Sequence, residues 1–153
     1  MIKLDKIDKG ILNLIQTNAK LNTKEIADKI GLSISPTYER IKKLENMGVI
    51  DKYIAIVNPE KIGKKITVYS QISLAQHSRK LIDNFKQKID EIDEVMSCMH
   101  VSGNYDFLLT VMVDNMEDYQ NFVINKLSII EGISNVQSSF VIDQLKSKTN
   151  FSF

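Results

Sequence analysis

The chain has 153 residues, 43% of them hydrophobic and 25% charged, with a formal net charge of +1 at pH 7. This length suits one domain or two small ones, and the composition excludes a disordered, collagen-like or membrane protein. No apolar run approaches the roughly 18 residues that cross a bilayer, and the first residues lack the apolar stretch of a signal peptide. The single cysteine, Cys98, precludes an internal disulfide, so we expect a cytoplasmic protein.

The near-neutral total conceals an uneven distribution of charge. Residues 1–53 contain ten Lys/Arg against seven Asp/Glu, whereas residues 54–153 contain ten against twelve. The positive field therefore lies on the N-terminal third, which favours that part of the chain as the one that meets an anionic partner.

The first fifty residues predict three helices. Asp5 can cap the first, with Asp8 in its opening turn, and Asn22 with Glu25 three residues later resembles a capping box for the second. Gly31 ends that second helix. Ser35 and Pro36 are interpreted as the N-cap and first position of the third, which ends at Gly48.

Residues 49–63 change character. Val49, Ile50, Tyr53, Ile54, Ile56 and Val57 are typical of β-structure, and Asn58-Pro59 interrupts the run. We predict a short strand or hairpin that serves as a hinge. The domain limits that follow are 1–50 for a helical domain, 51–64 for the connecting hinge strand, and 65–153 for a second domain.

The second half alternates strands and helices. The predicted elements are a strand at Ile66–Leu74, a helix at Ser78–Ile92, strands at Val95–Val101 and Phe107–Val113, a helix at Met116–Ile130, and a strand at Val136–Leu145. In the first strand Ile66, Val68, Ile72 and Leu74 share one face, and Thr67, Gln71 and Ser73 share the other. The order βαββαβ is that of the split βαβ, ferredoxin-like fold, so the whole chain is of the α+β class.

Two short helices that meet at the turn Lys29–Ser33, after a third helix, make a helix-turn-helix of winged-helix-like type. The third helix has an exposed face with Thr37, Glu39, Arg40, Lys42 and Lys43. Ser35, Thr37 and Tyr38 at its start point to base edges, Arg40 can bridge two acceptors, and Lys42 and Lys43 suit phosphates. Ser33, Ser35 and the helix N-terminus at Pro36 can also hold a phosphate.

Two other interpretations of this element stay open. The three helices can be a bundle with a solvated basic face, and helix-turn-helix patterns also occur in protein-interaction modules. Arg40 can also pair with Glu39 or Glu45 rather than with DNA.

The motifs, taken in order, closely resemble the Lrp/AsnC, or feast/famine, family of regulators. The resemblance is carried by Leu4–Leu12, Glu25–Ala27, Gly31–Pro36, Arg40–Ile50 and the segment Val101–Leu109, and it covers nearly the whole chain. It implies a cytoplasmic, nucleoid-associated regulator that binds double-stranded DNA as a dimer. It also implies a C-terminal RAM domain, which pairs its sheets in the dimer, joins dimers into octamers or other even-numbered assemblies, and binds an amino acid between dimers.

The resemblance places the effector cleft at the turn Gly103–Asn104–Tyr105–Asp106 and at Ser138 and Ser139 of the last strand. Gly103 leaves backbone amides open for a carboxylate, and Asp106 offers a partner for an ammonium group. Ser138 and Ser139 point to opposite faces of a strand, so we expect only one of them to line a given cleft. The alternative is a turn that merely joins two strands, with Asp106 capping it or pairing with a lysine of another subunit.

Catalytic chemistry finds little support in the sequence. Cys98 and His100 share one face of a predicted strand, as a nucleophile and its base could, but a lone cysteine in an apolar strand is usually a core residue. His77 has no ligand-like spacing, and the histidines and cysteine match no zinc pattern. We therefore expect no enzyme, no metal and no cofactor other than an amino-acid effector. An effector-free protein that organises DNA, or a metabolite-binding module or enzyme without DNA, are the alternatives.

Overall fold

The structure is a computed structural model that describes residues 2–153. It contains two compact units, one formed by residues 2–56 with Lys146–Phe153 and the other by Val57–Leu145. The helices are α1 (Lys6–Thr17), α2 (Thr23–Ile30), α3 (Ile34–Asn46), α4 (Arg79–Asp90) and α5 (Met116–Asn121). The strands are β1 (Ile66–Leu74), β2 (Val95–His100), β3 (Phe107–Val113) and β4 (Ile133–Phe140).

The first unit is the predicted three-helix arrangement. Asp5 and Asp8 form a capping box at α1, and Asn22 and Glu25 form another at α2. Gly31 ends α2 with φ of 77°, a left-handed conformation that glycine adopts without steric cost. The buried side chains of the three helices meet in one apolar core made of Ile11, Leu12, Ile15, Ile26, Ile41 and Leu44.

The start of α3 differs from the prediction. The N-cap is Ser33 rather than Ser35, so Ser35 and Pro36 are the second and third residues of the helix. A proline is accommodated there because the first four amide groups of any helix have no partner inside it. The pattern Ser-Pro marked the first turn correctly but not the capping residue.

The predicted hinge strand is wrong. Residues 49–57 have no regular secondary structure, and the amides of Val49 and Ile50 instead bond to the carbonyl of Leu44, at 2.9 and 3.2 Å. A β-prone segment becomes a strand only when another strand accepts its hydrogen bonds, and no other strand of this chain pairs with this segment. Its apolar side chains, Ile54 and Ile56 among them, are exposed.

The C-terminal segment packs within the first unit. The carboxamide of Gln16 on α1 donates to the carbonyl of Phe151 at 3.3 Å and accepts from the Phe151 amide at 2.8 Å. The last residues are therefore bound to α1, whereas their sequence left open a frayed tail or an oligomer contact.

The second unit is the predicted ferredoxin-like fold. Its four antiparallel strands have the order β2-β3-β1-β4. The strand face that carries Val68, Ile72, Phe107, Leu109 and Val111 is buried, and the core continues into the helices through residues such as Phe85 and Phe122. The opposite face of the sheet, which we call the open face, carries the alternating residues of each strand, including Tyr69 and Gln71 of β1.

Two boundaries in this unit were predicted incorrectly. β4 begins at Ile133 and ends at Phe140 rather than spanning Val136–Leu145, because its partner β1 begins at Ile66 and offers nothing beyond Val68 and Thr67 to pair with. The helix predicted at Met116–Ile130 is α-helical only to Asn121 and continues as a π-helical segment over Phe122–Leu127.

Cys98 is another correction, since it is exposed rather than in the core. It lies on β2, an edge strand whose residues Met96–His100 are all exposed. Partial desolvation still raises the pKa of its thiol above the ordinary value, which disfavours the thiolate that a nucleophile needs.

Candidate DNA interface and effector cleft

The start of α3 presents an exposed polar surface. Ser33 caps the helix without a side-chain hydrogen bond to it, so its hydroxyl is not used by the cap. Ser35, Pro36 and Tyr38 are also exposed, Tyr38 at 47%. The backbone amides of a helix start and these hydroxyl groups together form a surface that suits phosphate and base edges.

Thr37 does not belong to that surface, contrary to the prediction. It is fully buried, and its hydroxyl donates to the carbonyl of Ser33 at 2.9 Å. Counting residues on the helix placed it beside Arg40 and Lys43, but its small side chain turns back to the preceding turn.

Arg40 is also not a free base-reading side chain. Its Nη1 bonds to Asp5 Oδ2 at 2.6 Å and to Asp8 Oδ1 at 2.7 Å, which ties α3 to the capping box of α1. The pair lowers the pKa of Asp5, after the larger effect of the Asp8 amide, and raises the pKa of Arg40. The alternative partners named from sequence, Glu39 and Glu45, are not used.

The two lysines of α3 differ in their surroundings. Lys42 Nζ bonds to Glu45 at 2.7 Å and lies 5.7 Å from the centre of the Tyr38 ring, and the Glu45 carboxylate raises its pKa. Glu45 also accepts from the Tyr53 hydroxyl at 2.9 Å, and burial, followed by this bond, raises the pKa of Tyr53 to about 12. Lys43 is exposed and has no ion pair within residues 2–153, so it is the cation of α3 most available to a phosphate.

In the second unit, Asp106 anchors the turn between β2 and β3. Its Oδ2 accepts from the Leu74 amide at 2.7 Å and its Oδ1 lies 2.6 Å from His77 Nε2. The Leu74 amide, with a further contribution from His77, lowers the pKa of Asp106 despite opposing desolvation. At 17% exposure the carboxylate has the structural role that was left open as an alternative to ammonium binding.

The remainder of the turn is open. Gly103 has φ of 144°, a conformation that favours glycine, and nothing lies within 4 Å of the place where a Cβ would be. Asn104 is exposed and Tyr105 half-buried.

Ser138 and Ser139 point to opposite faces of β4, as predicted. Ser138 hydrogen-bonds to the Tyr119 hydroxyl, which also lies 3.2 Å from Ser70, and so faces the helices. Ser139 is exposed on the open face opposite Tyr69.

The open face holds a hollow of about 300 Å³ next to the turn. Its walls are Gln71 and Ser73 of β1, Asn135 and Gln137 of β4, and Asn104 and Tyr105 of the turn. The structure thus brings together two of the predicted effector residues and leaves Gly103, Asp106, Ser138 and Ser139 out of the lining. The alternation of β1 had already put Gln71 and Ser73 on the face away from the core, but nothing in the sequence linked them to the turn.

Other candidate chemistry is absent from the described residues. His100 stacks on Phe107 with ring centres 4.7 Å apart, which is a packing contact. Residues 2–153 contain no group of three or more metal-ligating side chains. They also contain no helix that is both long and apolar enough to cross a membrane.

Comparison with known proteins matches both units. A family model of the winged helix-turn-helix DNA-binding domain matches residues 4–51, and one of the Lrp/AsnC ligand binding domain matches residues 67–151. The chain is 33% identical over 147 residues to the DNA-binding transcriptional activator DecR of Escherichia coli, covering 96% of this chain and 97% of that protein. It is 34% identical over 148 residues to the leucine-responsive regulatory protein of Haemophilus influenzae, covering 97% and 89%.

A solved structure gives the same result. The complex of the transcriptional regulator NMB0573 with L-Met from Neisseria meningitidis aligns with a TM-score of 0.93 at 30% identity, covering 97% of this chain and 96% of that one. A helix-turn-helix joined to a ferredoxin-like ligand-binding domain defines a DNA-binding transcriptional regulator. This chain belongs to the Lrp/AsnC family of such regulators.

Proposed function

We propose that the protein binds double-stranded DNA as a homodimer, or as a larger even-numbered assembly such as an octamer, and that a free amino acid changes its DNA affinity or its assembly. The observation that carries this proposal is the exposed, hydroxyl-rich start of α3 with unpaired Lys43 beside it. In functional terms residues 1–50 contact DNA, 51–64 connect, and 65–153 assemble and sense. The protein acts by binding, without catalysis or cofactor, at the nucleoid in the cytoplasm.

The roles of the α3 residues are revised by the contacts. Ser33, Ser35, Pro36 and Tyr38 are proposed to approach bases or phosphates at the helix start. Lys42 and Lys43 are proposed to hold phosphates, Lys42 after exchanging Glu45 for DNA. Arg40 and Thr37 are proposed to hold α3 in place, Arg40 through the α1 carboxylates and Thr37 through the Ser33 carbonyl.

Self-association is supported by apolar side chains that the chain itself does not cover. Tyr69 and Met99 lie on the open face of the sheet with 39% and 45% exposure, and Ile54 and Ile56 reach 64% and 72%. Several exposed apolar groups on one chain are typical of a protein interface. Light scattering after size exclusion should give at least a dimer at micromolar concentration, and a monomer would exclude this part of the proposal.

The effector is proposed to bind at the turn Gly103–Asp106, with Ser139 on the same open face. The names of two similar proteins support an amino acid, one being leucine-responsive and the other a complex with L-Met. Gly103 leaves backbone amides free to meet a carboxylate, while Asp106 fixes the turn and Ser138 supports it from the helical side.

Fluorescence anisotropy with DNA tests the proposal. Log affinity against log salt should fall linearly, and Lys43→Ala should reduce the slope by about one unit, since one phosphate contact is lost. Lys80→Ala, an exposed lysine of α4, is the matched control and should leave the slope unchanged. Binding that does not depend on salt, or an equal effect of the two substitutions, would contradict the proposed interface.

A further inference from the structure

The hollow on the open face is built from uncharged polar side chains. Four of its six lining residues carry carboxamides, namely Gln71, Asn104, Asn135 and Gln137, and the others are Ser73 and Tyr105. No lysine, arginine, aspartate or glutamate lines it. At about 300 Å³ it lies at the small end of ligand pockets, a size that suits a free amino acid.

The sheet register sets this composition side by side. Gln71 is directly opposite Gln137, and Ser73 is directly opposite Asn135, in the antiparallel pair of β1 and β4. Directly opposed side chains on one face have Cβ atoms about 5 Å apart, so each pair can address one ligand group. A register shift at Ser73/Leu74 occurs beside the hollow, and such bulges commonly re-aim side chains near binding sites.

The turn closes one side of the hollow and is held firmly. Asn104 and Tyr105 belong to the turn whose carboxylate, Asp106, accepts from the Leu74 amide at 2.7 Å. Leu74 follows Ser73 directly, so the turn and the wall of β1 are fixed to each other by that bond. This arrangement gives the six side chains a shared, preorganised frame.

The carboxamides have unused hydrogen-bonding capacity. Within residues 2–153, the side chains of Gln71, Asn104, Asn135 and Gln137 make no hydrogen bond, whereas Ser138 and Asp106 nearby are engaged. A carboxamide offers both donors and an acceptor, so four of them match a ligand group that likewise has both. A side-chain amide has this character, while a carboxylate accepts only and an aliphatic group does neither.

We propose that this hollow selects the side chain of the effector, and that the effector is an amino acid with a carboxamide side chain rather than a branched or thioether one. The proposal rests on the amino-acid response proposed above. An aliphatic side chain would cover the carboxamides and leave them unpaired, which is the usual basis on which a hydrogen-bonding site rejects an apolar ligand. An acidic side chain finds no cation in the lining and has the Asp106 carboxylate nearby.

Titration calorimetry on the full-length protein, in the assembly state it has when purified, tests this inference. L-glutamine, L-asparagine, L-glutamate, L-aspartate, L-leucine and L-methionine are the probes. Two hydrogen bonds made by one ligand and not by another correspond to a preference of about 10- to 100-fold, which is the margin expected for glutamine or asparagine over leucine and methionine.

Two substitutions place the selectivity in the hollow. Gln71→Leu and Gln137→Leu keep the length of the side chain and remove its polar groups, so each should weaken binding of the amide ligand about tenfold. Gln87→Leu, on the exposed side of α4 and outside the hollow, should leave the affinity unchanged.

Each result has a definite meaning. An amide ligand that binds best and loses affinity in both variants supports the inference. Leucine or methionine binding as tightly as the amides, with Gln71→Leu and Gln137→Leu without effect, overturns the inference but leaves the proposed amino-acid response intact. No binding of any of the six, in protein that still binds DNA with the expected salt dependence, overturns the inference and the proposed effector response together.

Discussion

Replacing Arg40 by alanine should destabilise the DNA-binding unit rather than merely remove a DNA contact. The Arg40 side chain is 33% exposed and bonds to Asp8, whose side chain is only 6% exposed, as well as to the half-exposed Asp5. Without Arg40 the nearly buried Asp8 carboxylate retains only the Asp5 amide, at 3.3 Å. Removing one partner of a fully buried pair costs about 3–5 kcal/mol and of an exposed pair about 0–1 kcal/mol, so we expect about 2 kcal/mol here.

The assay is thermal unfolding followed by circular dichroism, with Lys43→Ala as the matched control. For a unit of about 60 residues, a loss of about 2 kcal/mol lowers Tm by roughly 8–16 °C. Lys43→Ala should leave Tm nearly unchanged, within about 0.5 kcal/mol, and should act only on the salt dependence of DNA binding. The two cations on the same helix thus separate into a stabilising one and a DNA-binding one.

A double-mutant cycle assigns the effect to the pair. Arg40→Ala and Asp8→Ala together should destabilise by less than the sum of the single changes, with a coupling of about 1–2 kcal/mol. An Arg40→Ala protein with the Tm of the original, combined with lost DNA affinity, would refute the reasoning and return Arg40 to the role its sequence first suggested.

Three further changes test other parts of the structure. Gly103→Ala should cost about 1–3 kcal/mol in urea unfolding because φ is 144°, whereas Gly10→Ala, inside α1 with ordinary van der Waals space around it, should stabilise by up to about 1 kcal/mol; equal effects would disprove the strain at the turn. Gln16→Ala removes two hydrogen bonds to the C-terminal segment, so it should lower stability by about 1 kcal/mol and speed proteolysis of that segment; unchanged cleavage argues against the docking. The Asp106 pKa is lowered on folding, so its stabilisation is present above pH 3.8 and is lost as pH falls through the lower folded value; Asp106→Asn should show a shallower loss of Tm between pH 5 and pH 2, and identical curves would contradict the anchor.

Much of the fold could be predicted because short-range signals agree with long-range packing. The capping pairs Asp5–Asp8 and Asn22–Glu25 act within four residues, so the sequence contains all that is needed to place those helix starts. The alternation in β1 likewise determines which side chains reach the core, and the βαββαβ order leaves few ways to build the sheet.

The errors occur where a distant residue decides the outcome. Residues 49–57 have β-forming side chains but no strand in this chain to pair with, and β4 stops at Phe140 because β1 begins at Ile66. Arg40 looked like a DNA contact because its partners, Asp5 and Asp8, lie more than thirty residues away in sequence. The carboxamide hollow escaped notice because its walls come from three segments that only the sheet register brings together.

The central claim, a DNA-binding regulator controlled by an amino acid, is tested most directly by measuring DNA affinity with and without each amino acid. The DNA would be a site selected from random duplexes by the protein itself, at fixed salt, with wild-type protein and Gln71→Leu in parallel. The account predicts tight, salt-dependent binding whose dissociation constant changes severalfold or more with an amide-bearing amino acid, and a weaker response in the variant. Sequence-specific binding that no amino acid alters would contradict amino-acid control, and failure to select any site would contradict the regulator itself.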